Sequence, residues 1–310
     1  MLYYKYSDYL KNKYGEKVYK LPVNLPVTCP NRLDGDGCAF CAGAGTGFEA
    51  MSAAVSVTEQ LTRTRQMITR KYHANKYIAY FQNYTNTFLP PDRFRSYLME
   101  ATRIPGVVEI SVSTRPDCVS AEYLDIMRDI RAMTGIQMNV ELGLQTANYH
   151  TLQMIDRGHG LAEFIDALLR IKRYTGISIC THVILNLPGD TAADAKETAR
   201  ILTALGVDIV KLHSLYIARN TRLCDWYENG KITVCSKEEY FERVITFLEQ
   251  IPETVAVERM FSRIPEKDAV FCNWGCSWWR LRDELLQKME EEGRYQGKCC
   301  DYLNGAALCL

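Results

Sequence analysis

The sequence lacks signals for export and for membrane insertion. Its first residues, Met1-Leu2-Tyr3-Tyr4-Lys5, have no apolar signal core, and no apolar run approaches the roughly 18 residues of a membrane span. Internal repeats and low-complexity segments are also absent. Twelve cysteines without an export signal predict a cytoplasmic protein that does not span a membrane, with thiols available to metals.

A surplus of charge of either sign is missing as well. Lys plus Arg and Asp plus Glu both total 37, so no overall basic field indicates nucleic-acid binding, and only a local basic patch stays open. The 310 residues are 47% apolar and 24% charged, which is ordinary for a soluble enzyme. This length allows one large α/β domain or two small ones.

Three cysteines within one loop are the strongest chemical signal. Cys29, Cys38 and Cys41 lie in the stretch CPNRLDGDGCAFC with the spacing C-x8-C-x2-C. The proline and glycines of this stretch keep it from forming a helix or a strand. A cubic [4Fe–4S] cluster has four irons, so three local thiolates leave one iron free for another ligand unless a distant cysteine completes the set.

Zinc and a disulfide are the alternatives to a cluster. A structural zinc site usually takes its second ligand pair about 12–20 residues after the first. After Cys41, however, the next cysteine is Cys118, and no paired cysteine appears before Cys272. A disulfide needs an oxidising compartment that the sequence does not indicate. The spacing therefore favours the cluster.

Strand-like and helix-like segments alternate along the chain. Six strands are predicted at 18–23, 77–81, 107–112, 137–143, 177–184 and 207–212, with one more at 255–259. Alternation implies parallel pairing through right-handed crossovers. We therefore predict an α/β fold, a partial (β/α)6 barrel of the TIM type with short N- and C-terminal extensions. A doubly wound open sheet is the rival architecture.

Helices are predicted between these strands, and the barrel defines the domain boundaries. The helices cover 57–72, about a dozen residues from Pro90-Pro91, 120–133, 161–169, 191–205, 236–250 and 277–292. Ser120 is a predicted N-cap, and Thr191 and Ser236 begin predicted capping boxes. The domains are an N-terminal arm at 1–17, the barrel at 18–250 and a C-terminal extension at 251–310 that packs on the barrel.

Polar residues gather where the predicted strands end, at Gln82, Thr114, Arg115, Gln145 and His213. In barrel-type sheets the residues that handle ligands lie at this C-terminal rim. The cysteine loop follows the first strand, so we expect it to open onto the same rim.

Four polar residues lie at the ends of predicted strands or within them. His213 can orient a substrate or shuttle a proton, and a role as a hydrogen-bonded core residue is an equal alternative. His182 lies in the middle of a strand, which predicts buried structure. Arg115 and Asp117 are predicted to form a rim ion pair and nothing more.

Two segments offer contacts to nucleic acid. Residues 1–20 hold six tyrosines and five lysines, which can stack on bases and neutralise phosphates. An arm that packs its rings on the domain and keeps its lysines in water is the favoured interpretation. Helix 57–72 carries Arg63, Arg65, Arg70 and Lys71. It is the best candidate for phosphate contacts, and a solvated helix face is the equal alternative.

The C-terminal extension contains further cysteines, Cys272, Cys276, Cys299, Cys300 and Cys309. They can ligate a second cluster or a zinc ion. Free thiols are the default prediction, because an unpaired cysteine usually behaves as a small apolar residue.

The cysteine loop resembles that of the radical S-adenosylmethionine (SAM) superfamily, in which an aromatic residue precedes the last cysteine, as in Cys38-Ala39-Phe40-Cys41. The commonest form has three residues in the first gap, whereas longer gaps such as this one occur in the branch related to the Elongator catalytic subunit. Segments 17–22, 80–87, 113–117, 141–146 and 157–159 resemble a bacterial group within that branch. The resemblance covers roughly residues 3–265.

This resemblance implies an enzyme in which Cys29, Cys38 and Cys41 hold a [4Fe–4S] cluster. The free iron would chelate the amino and carboxylate groups of SAM, and an electron from a donor such as flavodoxin or ferredoxin would cleave it. The products would be methionine and a 5′-deoxyadenosyl radical that abstracts hydrogen from an unactivated carbon. The protein must then exclude water and hold the target close.

The resemblance also implies a set of SAM contacts from Phe40, Gln82, Thr114, Gln145, Arg157 and Leu187. Arg157 would pair with the methionine carboxylate, a task suited to a planar fork of donors. The two glutamines and the threonine would contact the amino group or the ribose. Phe40 and the turn Leu187-Pro188-Gly189 would flank the adenine. The structural alternatives are a surface salt bridge for Arg157 and strand-end caps for the glutamines.

One bacterial branch of the resembling group is associated with the wobble uridine of tRNA. It removes the carboxymethyl part of a 5-carboxymethylaminomethyl group to leave 5-aminomethyl, which makes tRNA the expected partner. Hydrogen abstraction from the carboxymethyl methylene is the corresponding hypothesis. A radical SAM enzyme for a small metabolite or a protein, and a non-catalytic iron–sulfur or zinc sensor or scaffold, are the two rival classes.

Overall fold

The computed structural model describes residues 1–33, 35–43, 45 and 50–301. The strands of this part are β1 (Val18–Val23), β2 (Lys76–Phe81), β3 (Val107–Thr114), β4 (Gln137–Gln145), β5 (Ile177–Ile184), β6 (Ile209–His213), β7 (Tyr216–Ala218), β8 (Ala256–Arg259) and β9 (Ala269–Cys272). Its α-helices are α1 (Tyr6–Tyr14), α2 (Val57–Tyr72), α3 (Pro91–Thr102), α4 (Ala121–Thr134), α5 (Tyr149–Met154), α6 (Leu161–Lys172), α7 (Ala192–Leu205), α8 (Arg222–Glu228), α9 (Lys237–Gln250) and α10 (Trp278–Glu291).

Seven strands form one parallel sheet in the order β1-β2-β3-β4-β5-β6-β8. The sheet curls so far that side chains of its two edge strands meet. Lys20 Nζ on β1 lies 2.6 Å from a carboxylate oxygen of Glu258 on β8. An open sheet would hold its edges apart, so this contact confirms the partial barrel over the doubly wound alternative. The sheet contains all six predicted strands and also the seventh, β8, which follows residue 250.

Residues alternate between the two faces of each strand, and only one face is apolar throughout. On β4, Met138, Val140 and Leu142 belong to the main hydrophobic core between sheet and helices. Asn139 and Glu141 point to the opposite, inner face and are also buried. The inside of the barrel is therefore lined partly by polar side chains, and these need partners within the protein.

Helix ends follow the predicted capping residues with one exception. The carboxylate of Asp194 accepts a hydrogen bond from the backbone N–H of Thr191, and the hydroxyl of Ser236 accepts one from the N–H of Glu239. Ser120 occupies the N-cap position of α4, but its side chain makes no capping hydrogen bond. The predicted N-cap position of Ser120 is nevertheless confirmed, since the helix begins where expected.

The N-terminal arm closes the end of the barrel opposite to the rim. Tyr6 and Leu10 of α1 pack into a hydrophobic cluster with inner-face residues near the starts of the strands, including Ile78 and Ile209. The packing of the arm is as predicted, but its lysines are not all in water. Lys13 Nζ lies 2.9 Å from a carboxylate oxygen of the buried Glu109.

The C-terminal part packs on the barrel through α10 and a small sheet. Strands β7 and β9 pair antiparallel, and Leu281, Leu285 and Met289 of α10 are buried in the main core. Cys309 lies outside the described residues. Within the described ranges, no helix has the length and apolar character that a membrane span requires.

Candidate active site

The three cysteines of the loop after β1 line one cavity at the C-terminal rim of the barrel. The loop turns tightly, because the N–H of Cys41 donates to the carbonyl of Cys38 at 2.9 Å. The N–H of Ala39 donates to the carbonyl of Ile155 at 2.9 Å, which fixes the loop against the segment after β4. The sequence prediction that the loop opens onto the rim is therefore correct.

Cationic and amide donors surround the sulfur atoms. Arg157 Nη1 and Asn31 Nδ2 each lie 3.5 Å from Cys38 Sγ, and Arg115 Nη1 lies 3.6 Å from Cys29 Sγ. Burial raises the pKa of the Cys41 thiol, and a hydrogen bond from Arg32 opposes that effect. Donors of this kind favour the thiolate form, which is the form that binds metal.

Two glycines allow the arginine of the segment 157–159 to approach the cysteine loop. Gly158 has a φ of +74°, and a Cβ there would lie 2.1 Å from Asn31 Oδ1. A Cβ on Gly143 would lie 2.7 Å from Arg157 Nη2. The pair of glycines therefore explains on steric grounds why an arginine side chain can lie flat between β4 and Cys38.

The donor set fits a cluster better than a single zinc ion. Within the described ranges, Glu141, Cys180 and His182 form the group of three possible ligands whose atoms all lie within 4.8 Å of one another. At least one pair of the three loop thiols is therefore more than 4.8 Å apart. Thiolates on one zinc ion lie about 2.3 Å from the metal and hence about 4 Å apart. A cluster with one iron per thiolate needs a wider spacing.

The cavity also leaves room for a fourth ligand that is not a cysteine. Cys118, the next cysteine along the chain, does not line it. Burial and the neighbouring Asp117 raise the pKa of the Cys118 thiol to about 12. A neutral thiol is a poor metal ligand. Three thiolates with one open position are what the resemblance predicts.

Five of the six residues predicted to contact SAM line this same cavity, namely Phe40, Gln82, Thr114, Gln145 and Arg157. Leu187 does not line it. Leu187 is buried behind the loop, in a small hydrophobic cluster that includes Ala39 and, at its edge, Phe40. The structure thus brings five of these residues together, and their contacts to SAM stay a prediction.

Arg157 and Gln145 have unusual local structure. Arg157 is buried, and its Nη2 donates to the carbonyl of Gly143 at 2.8 Å. The surface salt bridge that was the alternative for Arg157 is therefore wrong. Its Nε has no hydrogen-bond partner among the described residues, which leaves one donor for a ligand. Gln145 ends β4 with a φ of +77°, a conformation that is costly for a residue other than glycine and is found most often at functional sites.

Arg115 does more than form the predicted rim ion pair. Its guanidinium holds Asp117 in a two-pronged ion pair, with Nε–Oδ1 at 2.9 Å and Nη2–Oδ2 at 2.7 Å. Nη2 also donates to the carbonyl of Gly158 at 3.1 Å, and Nη1 reaches Cys29. Arg115 therefore links the end of β3 to both the cysteine loop and the Arg157 segment.

A network of buried charges lies directly beneath the cavity. The carboxylate of Glu141 accepts hydrogen bonds from Lys20, Ser111, His182 and Lys211. Lys20 and Lys211 also pair with Glu258, at 2.6 Å and 3.1 Å. Two lysines and two glutamates balance, which is the condition for keeping such charges inside a protein. The oxygens of Glu141 are thus fully used, and a metal at Glu141, Cys180 and His182 is not favoured.

The network shifts the pKa values of its members strongly. Burial raises the pKa of Glu141, but Lys20 and Lys211 outweigh it and hold this pKa well below its usual range. Burial lowers the pKa of His213, and His182 lowers it further. Burial and Lys211 likewise lower the pKa of His182 despite its bond to Glu141. Both imidazoles are therefore neutral near pH 7, with ring centroids 5.3 Å apart.

These histidines predict the pH dependence of stability. We expect the free energy of unfolding of the cofactor-free protein to fall as the pH drops below about 6.5, the ordinary histidine pKa. The unfolded state binds protons that the folded state excludes at His182 and His213, so acid favours unfolding. Urea titrations at several pH values between 8 and 5 measure this slope. His213→Gln should flatten it and the exposed His150→Gln should not, and a stability that rises towards pH 5.5 contradicts the prediction.

Sequence reasoning missed the inner network and misassigned one histidine. His182 is not purely structural, because its half-buried ring lines the cavity of the cysteines. Glu141 and Lys211 were missed as site residues, although each is a charged residue within an otherwise apolar strand. This pattern could have identified them as site residues, because a charged side chain in a buried strand needs either a partner in the protein or a ligand.

Other candidate residues lie away from the cavity. The basic side chains of α2 are on the outside of the barrel, and Arg63 pairs with Glu59 one turn earlier. Cys272, Cys276, Cys299 and Cys300 are free thiols. Burial raises the pKa of Cys272 to about 11. Among the described residues these cysteines form no close metal-ligand group.

Comparisons with known proteins agree with this geometry. Residues 23–202 match the Radical SAM superfamily, and residues 207–291 match the Radical_SAM C-terminal domain. The protein YtqA of Bacillus subtilis (strain 168) is 31% identical over 300 residues, which cover 96% of this chain and 92% of YtqA. A tRNA uridine(34) acetyltransferase of Methanocaldococcus infernus is 28% identical over 162 residues, which cover 51% of this chain and 29% of that protein.

A solved structure of the archaeal Methanocaldococcus infernus Elp3 has a similar fold. Its TM-score is 0.68 at 19% identity, and the match covers 90% of this chain and 64% of that chain. The predicted relation to the Elongator branch is confirmed at the level of the fold. The chain belongs to the radical SAM superfamily, whose enzymes use a [4Fe–4S] cluster and SAM.

Proposed function

We propose that this radical SAM enzyme acts on the wobble uridine of tRNA, where it removes the carboxymethyl part of a 5-carboxymethylaminomethyl group to leave 5-aminomethyl. When bound, the cluster and SAM supply a radical that takes hydrogen from an unactivated carbon. In this proposal that carbon is the methylene of the carboxymethyl group. A small reducing protein such as flavodoxin or ferredoxin is the proposed electron donor.

The observation that carries the enzymatic part is the single cavity lined by three thiols and by the polar ends of β2, β3 and β4. Cys29, Cys38 and Cys41 would hold the cluster. Arg157, which has a free Nε, and the strand-end residues Gln82 and Gln145 would position SAM beside it. The buried walls exclude water from this position, and that protects a reactive intermediate from side reactions.

The substrate part is supported by the relatives. One protein similar to half of this chain is a tRNA uridine(34) acetyltransferase, and Elp3 shares the fold. Uridine 34 is the wobble position to which the sequence resemblance also points. The substrate is therefore proposed from likeness, and the chemistry from the site.

Nucleoside profiling of tRNA tests the proposal directly. In a strain that lacks the gene, tRNA should accumulate 5-carboxymethylaminomethyluridine and lose 5-aminomethyluridine and nucleosides made from it. Purified, reconstituted protein should then convert that tRNA in the presence of SAM and a reductant. An unchanged nucleoside profile in the deletion strain, together with no conversion in vitro, contradicts the proposal.

The two rival classes make different predictions. A radical SAM enzyme for a small metabolite or a protein side chain would cleave SAM but would not bind tRNA specifically. A sensor or scaffold would hold iron or zinc and produce no 5′-deoxyadenosine under reducing conditions. Anaerobic reconstitution followed by product analysis separates these cases.

Helix α2 provides a prediction for RNA binding. Arg63, Arg70 and Lys71 are exposed on one helix of the rim-bearing domain. The triple variant with glutamine at these positions should bind tRNAs of any sequence more weakly. Each lost phosphate contact removes the favourable release of counterions, which does not depend on sequence. The slope of log affinity against log salt should decrease by about one for each contact that is lost. Filter binding at several salt concentrations measures both quantities.

A charge-matched variant controls for the change in net charge. Arg128, Arg280 and Lys298 are also exposed and lie on other parts of the surface. Their triple glutamine variant removes the same number of charges and should keep the wild-type salt slope. Equal weakening by both variants would mean that α2 is an ordinary solvated helix face.

A further inference from the structure

A second cavity adjoins the cavity of the cysteines inside the barrel. The two share the wall formed by Phe40, Tyr80, Gln82, Gln145 and His182. On its far side the second cavity is lined by residues at the ends of β6 and β8, among them His213 and Arg259. A group bound there would lie directly next to the position where SAM is expected.

The second cavity carries a surplus of positive charge. Lys211, Arg259 and Arg263 line it, and among the described residues no carboxylate does. Lys211 is neutralised from behind by Glu141 and Glu258. The surplus is therefore carried by the two arginines, and a cavity with fixed cations and no acid in its described lining favours an anionic ligand.

Arg259 is the residue whose charge lacks a partner. Its half-buried side chain makes no hydrogen bond or ion pair with any residue in the described part of the chain. The neighbouring Arg263 lies at the mouth of the cavity, with its guanidinium 3.9 Å from the centre of the Trp278 ring. A partly buried guanidinium without a partner is costly, and a bound carboxylate would satisfy it with two parallel hydrogen bonds.

His213 offers a second unsatisfied group on the same wall. Its Nδ1 lies 3.5 Å from the hydroxyl of Ser262, whereas its Nε2 is buried without a hydrogen-bond partner among the described residues. A buried polar atom of this kind usually marks a position where a ligand or water completes the hydrogen bonding. Arg259 thus presents an unused fork of donors, and His213 an unsatisfied ring nitrogen, to one small volume.

We propose that Arg259 binds the carboxylate of the substrate and so holds the neighbouring carbon beside SAM. This inference rests on the proposed function, because the carboxymethyl group there carries its carboxylate directly on the methylene that loses hydrogen. A tRNA backbone phosphate is the other source of an anionic oxygen. A phosphate is less suited to this cavity, because the ribose and the base separate it from the reacting carbon. The cavity adjoins the expected SAM position, so its ligand must be a group close to that carbon.

Binding of two anticodon stem-loop RNAs to the cluster-loaded protein tests the inference. One RNA carries 5-carboxymethylaminomethyluridine at the wobble position, and the other carries 5-aminomethyluridine. Wild-type protein should prefer the carboxylate-bearing RNA by about tenfold to a hundredfold, as expected for a hydrogen-bonded charge pair. This comparison needs no variant, so it holds even if a substitution disturbs folding.

Variants then locate the preference. Arg259→Gln should reduce this preference to within about twofold of unity, because only the binding of the carboxylate-bearing RNA becomes weaker. Arg259→Lys should keep part of the preference, because lysine retains the charge but not the planar fork of donors. The control is Arg173→Gln, an exposed arginine that precedes β5 at the opposite end of the barrel. It should keep the wild-type preference.

The possible outcomes separate the two proposals. If Arg259→Gln weakens the binding of both RNAs equally, Arg259 contacts a backbone phosphate, and the inference is overturned. An unchanged preference in Arg259→Gln, or no preference in the wild type, overturns it as well. A preference that depends on Arg259 in a protein that converts no carboxymethylaminomethyl tRNA would support the anion site and contradict the proposed reaction.

Discussion

Protein with Cys38 replaced by alanine should fold normally but hold no stable [4Fe–4S] cluster and cleave SAM at the background rate. Cys38 is the most buried of the three loop thiols and receives hydrogen bonds from both Arg157 and Asn31. With only two thiolates left, the cluster loses a ligand whose place no other described cysteine in the cavity can take. Iron and sulfide content, the visible spectrum and 5′-deoxyadenosine yield measure the effect.

Cysteines outside the cavity provide the controls. Cys118→Ala and Cys272→Ala should keep the wild-type iron content, because burial and their surroundings hold both thiols in the neutral form, with pKa values of about 12 and about 11. A cluster that survives in Cys38→Ala would contradict the three-thiolate site. Loss of about half of the iron in Cys272→Ala would instead reveal a second metal centre in the C-terminal part.

Replacing Glu141 by glutamine should destabilise the cofactor-free protein by about 3–5 kcal/mol, the range for removing one member of a buried ion network. The change leaves Lys20 and Lys211 with a single acid, Glu258, in the interior of the barrel. It also removes the partner of His182. Urea unfolding at pH 7.5, monitored by circular dichroism, measures the loss.

A double variant separates charge imbalance from other effects. Glu141→Gln combined with Lys211→Met restores an equal number of buried acids and bases and should recover a large part of the lost stability. The exposed pair of Arg128 and Asp125 is the surface control, since Asp125→Asn should cost less than about 1 kcal/mol. Glu141→Gln that is no more destabilising than Asp125→Asn would mean that the network does not hold the barrel interior together.

Periodicity was sufficient to predict most of the architecture. Strand-like and helix-like segments alternate along the chain in a pattern that depends on local sequence alone, and β5 was predicted with the bounds that the structure has. The cysteine spacing likewise identified the loop whose three thiols line one cavity, because residues close in sequence need little from the rest of the fold to lie together. Their role as metal ligands stays a prediction. The rim position of Gln82 and Gln145 followed from strand direction, which parallel pairing fixes.

Contacts between distant segments could not be predicted in the same way. Leu187 packs in a separate hydrophobic cluster with Phe40 at its edge, which its local sequence did not indicate, and its place beside the adenine stays a prediction. Lys20, Glu141 and Glu258 lie on three different strands, and the sequence around each of them does not indicate its partners. Curling of the sheet decides that they meet.

The sequence by itself determined that this protein carries three thiolates in one loop, alternating strands and helices, and no overall charge that selects a partner. These properties depend on residues close together in the chain. Only the tertiary structure decided which buried charges neutralise one another and that no described residue pairs with Arg259 next to the site. The reason is that closing the barrel brings β1 and β8 together, and electrostatic balance is a property of that closed interior.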